Sequence, residues 1–146
     1  MKKRVFLMSA LVLITSITVS LSMSSCATKT PFLTSTVIPA AQGTVQVKKD
    51  ANKNYVITIE LSNLAPSTRL TPPMTAYVVW LVTADNMNKN LGQVNTSTNF
   101  MSNKLNAKFE TVSGIKPTKI FITAENEASV EYPSYNSLIL TTDYLK

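Results

Sequence analysis

Between Thr75 and Thr83 the chain reads TAYVVWLVT and is apolar on both faces at a period of two. Ala76, Val78, Trp80 and Val82 share one face, and Tyr77, Val79 and Leu81 share the other. A strand of that kind has to be covered on both sides, so the pattern predicts a central strand buried between two layers. Gly43 to Lys49 alternates Val45 and Val47 with polar neighbours. Tyr55 to Ser62 places Tyr55, Ile57, Ile59 and Leu61 on one face against Val56, Thr58 and Glu60. With the asparagine-rich turn DANKN at 50–54 between them, these two stretches predict a hairpin.

Further strands are expected at Leu91–Thr98, Lys104–Val112, Thr118–Glu125 and Ser137–Tyr144. Gly92 marks a weak point or a bulge in the first. The second turns Leu105, Ala107 and Phe109 inward and Asn106, Lys108 and Glu110 outward. In the third, Ile120, Ile122 and Ala124 oppose Phe121 and Thr123. The last sets Leu138, Leu140 and Thr142 against Ile139 and Thr141. The turn ADNMNKN spans 84–90, Phe100 and Met101 fall in an irregular stretch, and Ser113–Pro117 turns through Gly114. Two longer connections stand out: NLAPSTRLTPP at 63–73, whose three prolines cannot continue a ladder, and NEASVEYPSYN at 126–136. No segment after residue 25 sustains a helical period. The expected fold is an all-β, antiparallel, immunoglobulin-like sandwich of about seven strands over residues 43–146, without a disulfide.

The first residues follow a different logic. MKKRVFLMSALVLITSITVSLSMSSC starts with Lys2, Lys3 and Arg4, runs uncharged from Val5 to Leu21, and ends in small residues before Cys26. This resembles a bacterial lipoprotein signal, with Met23 where an aliphatic residue is usual. The resemblance implies that 1–25 is a signal peptide and that Cys26 is acylated after cleavage. Two or three acyl chains anchor stably where one is marginal. The apolar run is short for a bilayer span, which takes about 20 residues. Residues 26–42 are threonine-, serine- and proline-rich and predict an extended tether. Ala27, being non-acidic, is compatible under the same resemblance with an outer-membrane protein facing the periplasm.

Composition narrows the chemistry. Without 1–25 the chain carries eleven basic and eight acidic side chains, a net charge of +3. Apart from Lys48–Lys49 they are scattered, with no aromatic-interleaved basic stripe, so nucleic acid is not an expected partner. One cysteine and no histidine leave no internal disulfide, no histidine-based triad and no usual ligand set for zinc, copper or haem. No cofactor is expected. Neither G-x-S-x-G nor S-x-x-K occurs, and three glycines leave little material for an oxyanion or phosphate loop, so the chain is not expected to be an enzyme.

Along the mature chain, ITIELSNLAP, YVVWLV, NLGQV and KFETVSGIKPTKIFITAEN follow in an order that resembles the extracytoplasmic domain of anti-sigma-K-type factors. The matching positions are Leu64–Ala65–Pro66, Tyr77 to Leu81, Gly92–Gln93–Val94, and Ile122 to Glu125 with Pro133. The resemblance implies a sandwich with a sensing or interaction role outside the cytoplasm. A sigma-binding domain has no place in the four residues ahead of the apolar run.

Candidate sites are few. Tyr77 and Trp80 are expected in the core. Tyr132 and Tyr135, in a polar loop around Pro133, are the candidate binding residues for a protein or a glycan, against the alternative that both rings cap the sandwich end. Glu125, Glu127 and Glu131 form the only acidic cluster; without the aspartates and glycine of a calcium loop, a solvated loop is expected there. Lys116 and Lys119, flanking Pro117, are expected to keep an edge soluble. The function expected is a lipid-anchored, non-enzymatic envelope protein that binds through loops 63–73 and 126–136. Its partners would be the membrane, through acyl chains, and an envelope protein or glycan.

Overall fold

The structure is a computed structural model that describes residues 28–94, 96–97 and 106–145. The signal segment, Cys26, Phe100, Met101 and Leu105 lie outside the described residues.

The chain forms two antiparallel sheets packed face to face. The strands are β1 (Lys29–Pro31), β2 (Gln42–Lys49), β3 (Tyr55–Ser62), β4 (Ala76–Val82), β5 (Asn88–Val94), β6 (Thr96–Ser97), β7 (Asn106–Ser113), β8 (Lys119–Glu125) and β9 (Leu138–Thr141). One sheet has the order β1-β2-β3-β7-β6 and the other β5-β4-β8-β9. Apart from β1, that is the connectivity of an immunoglobulin-like Greek key with one added edge strand beside the centre of the second sheet. The expected fold class holds.

The β2–β3 hairpin forms as its alternation requires, with Val45 opposite Ile59 and Val47 opposite Ile57. Its turn is closed by Asp50, whose carboxylate accepts the Asn54 amide at 2.8 Å, and by Lys53 at φ 66°. Ile57, Ile59 and Leu61 face Tyr77, Val79, Leu81, Ile120, Ile122 and Ala124 across the sandwich in one continuous core. At roughly 25 cal/mol per Å² of apolar surface, each such aliphatic side chain contributes about 1.5–3 kcal/mol on burial.

Three local departures from strict alternation have visible causes. In β5, Val79 pairs with Gly92 and Trp80 with Asn90, so Leu91 is the extra residue of a bulge. Gly92 at φ 122° supplies the backbone that the bulge needs. The ADNMNKN turn is shorter than expected, because Asn88, Lys89 and Asn90 already belong to β5. In β9, Ile122 pairs with Leu140 but Thr123 with Leu138, so Ile139 bulges and both Ile139 and Leu140 enter the core. The expected single strand 91–98 in fact changes sheets between Val94 and Thr96.

The tether expected over 26–42 is folded from Lys29 onward. Pro31 pairs with Thr44, Phe32 bridges Thr142, and the Leu33 amide donates to the Thr141 carbonyl at 2.8 Å. Ser35 then accepts the Ile38 amide at 3.0 Å, turning Ile38 and Ala41 into the core. Apolar residues at 32, 38 and 41 override the loop-like composition, so this segment clasps one side of the sandwich and ties the edges of both sheets together.

Candidate functional site

Both faces of β4 are covered, as its sequence demands, but by different layers. Tyr77, Val79 and Leu81 enter the inter-sheet core. Val78 and Trp80 lie on the outside of the second sheet with Phe121, beneath Val130 and Leu138. The second cover is therefore the β8–β9 loop, 126–137, folded back across the sheet rather than projecting from its end.

Polar contacts hold that loop in place. Trp80, with no exposed surface, donates its indole N–H to Thr123 Oγ1 at 2.8 Å. Thr123 in turn donates to Glu125 Oε1 at 2.5 Å. The Glu125 carboxylate also accepts the Ser134 amide and the Ser134 hydroxyl, both at 2.8 Å. Glu125 is only 3% exposed, so the expectation of a solvated acidic cluster is corrected. Its carboxylate is solvated by three protein donors, while Glu127 and Glu131 remain exposed on the loop. From the other side, Asn90 Nδ2 donates to the carbonyls of Ala128 at 3.0 Å and Val130 at 2.8 Å. Among the described residues no buried side-chain polar atom lacks a partner.

The candidate tyrosines sit on this braced loop and differ from each other. Tyr132 is 78% exposed at its crest. Tyr135 is 62% exposed, but one face of its ring stacks on Phe121 at 5.8 Å, and its hydroxyl accepts from Asn88 Nδ2 at 2.6 Å. Phe121 stacks in turn on Trp80 at 6.1 Å, so a ladder of three rings runs from the buried indole to the surface. Beside Tyr135 a groove of about 280 Å³ is lined by Phe121, Leu138, Asn86, Asn88, Lys119 and Thr141. Sequence reasoning identified Tyr135 but missed Asn86, Asn88 and Lys119 as its neighbours; the pairing of Val82 with both Asn88 and Lys119 brings them together.

Tyr77 belongs to the fold. Its hydroxyl donates to the Ala65 carbonyl at 2.7 Å, and burial pushes its pKa up from 10.0 to about 12. This bond fixes the 63–75 connection to β4, and Ala76 opposite Glu125 places that connection and the start of the 126–137 loop at the same end of the sandwich. A wider cleft of about 550 Å³ lies under the N-terminal segment, between Pro31–Thr34 and Gln42–Thr44. Its charged side chain, Glu60, is engaged by Lys29 at 2.8 Å, which holds the carboxyl below its ordinary pKa.

Among the described residues, no group of three histidine, cysteine or acidic side chains is placed to hold a metal ion. Nor is any helix of the described residues long and apolar enough to cross a membrane. No protein-family model, curated protein or solved structure matches the chain.

Proposed function

We propose that the protein is a lipid-anchored, non-enzymatic component of a bacterial envelope, held by acyl chains on Cys26, whose sandwich is an interaction or sensing module. The binding surface is the outside of the β5-β4-β8-β9 sheet with the loop that covers it. The observation that carries this reading is the pairing of exposed aromatic surface, at Tyr132 and Tyr135, with a base fixed by Trp80, Thr123, Glu125, Ser134 and Asn90. Rigid aromatic anchors lose little entropy when a partner covers them, and ordinary solvated loops lack that advantage. The likeness to anti-sigma-type extracytoplasmic domains supports a sensing role, and the non-acidic Ala27 after the lipoprotein-like signal is compatible with an outer-membrane position facing the periplasm.

A second reading, a glycan or small-ligand module, is favoured by the groove beside Tyr135. There an aromatic ring lies next to two amides and one ammonium, a combination that suits stacking and hydrogen bonding to a sugar.

Crosslinking in living cells, followed by purification of the acylated protein and mass spectrometry, tests the proposal. One envelope protein should be enriched and then lost from the Tyr132→Ala/Tyr135→Ala variant. No enrichment over an unrelated lipoprotein, with calorimetric binding of a glycan that the same variant loses, selects the second reading. Turnover of ester or glycoside substrates sinks both.

A further inference from the structure

Charge is distributed unevenly along the long axis of the sandwich. One end is built from the 50–54, 83–87 and 113–117 turns and the final residues, since Leu145 bonds to Thr118 and Val82 pairs with Lys119. It carries Lys48, Lys49, Lys53 and Lys116, joined by Lys89 and Lys119 on the neighbouring strand ends. Three aspartates, at 50, 85 and 143, oppose these six lysines, leaving a surplus of +3. Around the middle, Lys29–Glu60 and Lys108–Glu110 pair off at 2.8 and 3.6 Å. The opposite end, with the 63–75 connection and the start of the 126–137 loop, carries Arg69 against exposed Glu127, with exposed Glu131 further along that loop. Among the described residues, the positive surplus therefore sits at one end.

The N-terminal end of β1 is directed toward that end. β1 runs antiparallel to β2, with Lys29 opposite Gln46, three residues short of Lys49. Cys26 precedes Lys29 by three residues, a reach of about 11 Å at most. A chain acylated at Cys26 therefore has no length with which to lift the domain away from lipid headgroups. The surface pressed against them is not purely charged, because Met87, Ile115 and Tyr144 are exposed among the lysines. Ammonium groups beside apolar and aromatic side chains suit a headgroup boundary, where stems enter the apolar edge and charges meet phosphate. A groove of about 200 Å³ brings Lys49 and Lys116 together with the apolar surface of Val47, Tyr55, Pro117 and Leu145.

We infer that this lysine-rich end is a docking surface for an anionic phospholipid bilayer. It orients the sandwich upright, so that the 63–75 connection and the part of the 126–137 loop bonded to Glu125 face away from the membrane. The inference rests on the anchoring proposed above for its geometry, though not for its charge.

The test uses the full acylated protein reconstituted into vesicles of phosphatidylcholine, with or without phosphatidylglycerol. Acylation consumes the Cys26 thiol, so a cysteine introduced as Ile115→Cys is the one site for an environment-sensitive dye; Tyr132→Cys is the comparison. In vesicles containing phosphatidylglycerol the dye at 115 should shift to the blue and be quenched by headgroup-labelled lipid, and the dye at 132 should do neither. Without phosphatidylglycerol the response at 115 should weaken. Lys49→Gln, Lys53→Gln and Lys116→Gln should each weaken docking about fivefold, and about a hundredfold together. A water-like signal at 115 in anionic vesicles, or equal signals at 115 and 132, overturns the inference. Mass spectrometry of the terminal peptide reads acylation separately. An acyl-free terminus, with a docked 115 label in the Cys26→Ser/Ile115→Cys protein, sinks the lipoprotein reading alone; an acylated terminus with a water-facing label sinks this one alone.

Discussion

Thr123 is the hinge of the polar contacts that pin loop 126–137, and Thr123→Val measures what they contribute. The substitution keeps the shape of the side chain and removes its hydroxyl. Trp80 Nε1–H, at 0% exposure, then has no acceptor, which costs about 1–3 kcal/mol. Glu125 loses the donor at 2.5 Å, and hydrogen bonds to charged groups contribute about 1.5–3 kcal/mol. Burying the extra methyl group returns about 1 kcal/mol. The expected net loss is about 1.5–5 kcal/mol, or roughly 6–20 °C in melting temperature for a domain of this size. Trp80 is the only tryptophan, so its fluorescence during urea unfolding reports on the affected site directly. The midpoint should fall with an unchanged slope. Thr123→Ser, which keeps the hydroxyl, should lose less than about 1 kcal/mol. A valine variant within about 0.5 kcal/mol of the parent, or a serine variant as unstable as the valine one, refutes this account of the loop.

Two other expectations test the fold. A Cβ on Gly43 would lie 2.5 Å from Leu61 Cδ2 and 2.6 Å from the Glu60 carbonyl oxygen, a backbone atom that cannot swing aside. Gly43→Ala should therefore lose about 1–3 kcal/mol in denaturant titration, while Gly114→Ala, whose nearest neighbour is 4.0 Å away, should change nothing measurable. Tyr77 keeps its proton more tightly folded than unfolded, so its contribution is intact below pH 10.0 and is lost as pH rises toward 12. Two pH units set an upper limit of about 2.7 kcal/mol, which solvent near the partly buried hydroxyl lowers to about 1–2. Tyr77→Phe should flatten that alkaline decline; an identical pH dependence in both proteins excludes Tyr77 as its source.

The strands were legible because they are written in alternation. Ile57, Ile59 and Leu61, or Ile120, Ile122 and Ala124, specify a buried face regardless of what lies opposite. β4 likewise announced two covers through its two apolar faces. What the pattern does not encode is the identity of the outer cover, because a loop of polar composition performs that role with Val130, the Tyr135 ring, Ser134 and backbone carbonyls. Glu125 was read as solvated since nothing local reveals that Ser134, nine residues on, returns to bond it. The N-terminal clasp was missed for a similar reason: Phe32, Ile38 and Ala41 have no regular spacing, and their packing on the core depends on two edges brought together by the fold. The candidate tyrosines were visible as loop aromatics, whereas the amides and ammonium beside Tyr135 come from strands far away in sequence.

The clasp also determines how the molecule carries force. β1 lies alongside β2, and the next residues fasten to the other sheet through Phe32 and Leu33. A pull on the entering chain, resisted at the opposite end where Ala76 pairs with Glu125, runs parallel to the strands. The β1–β2 hydrogen bonds are then loaded together in shear and cannot be unzipped one after another. Because the same few residues grip both sheets, tension at the chain's entry presses the two halves of the sandwich into a common response. The domain should stay folded under a tug along its axis that would peel open a hairpin pulled from its side.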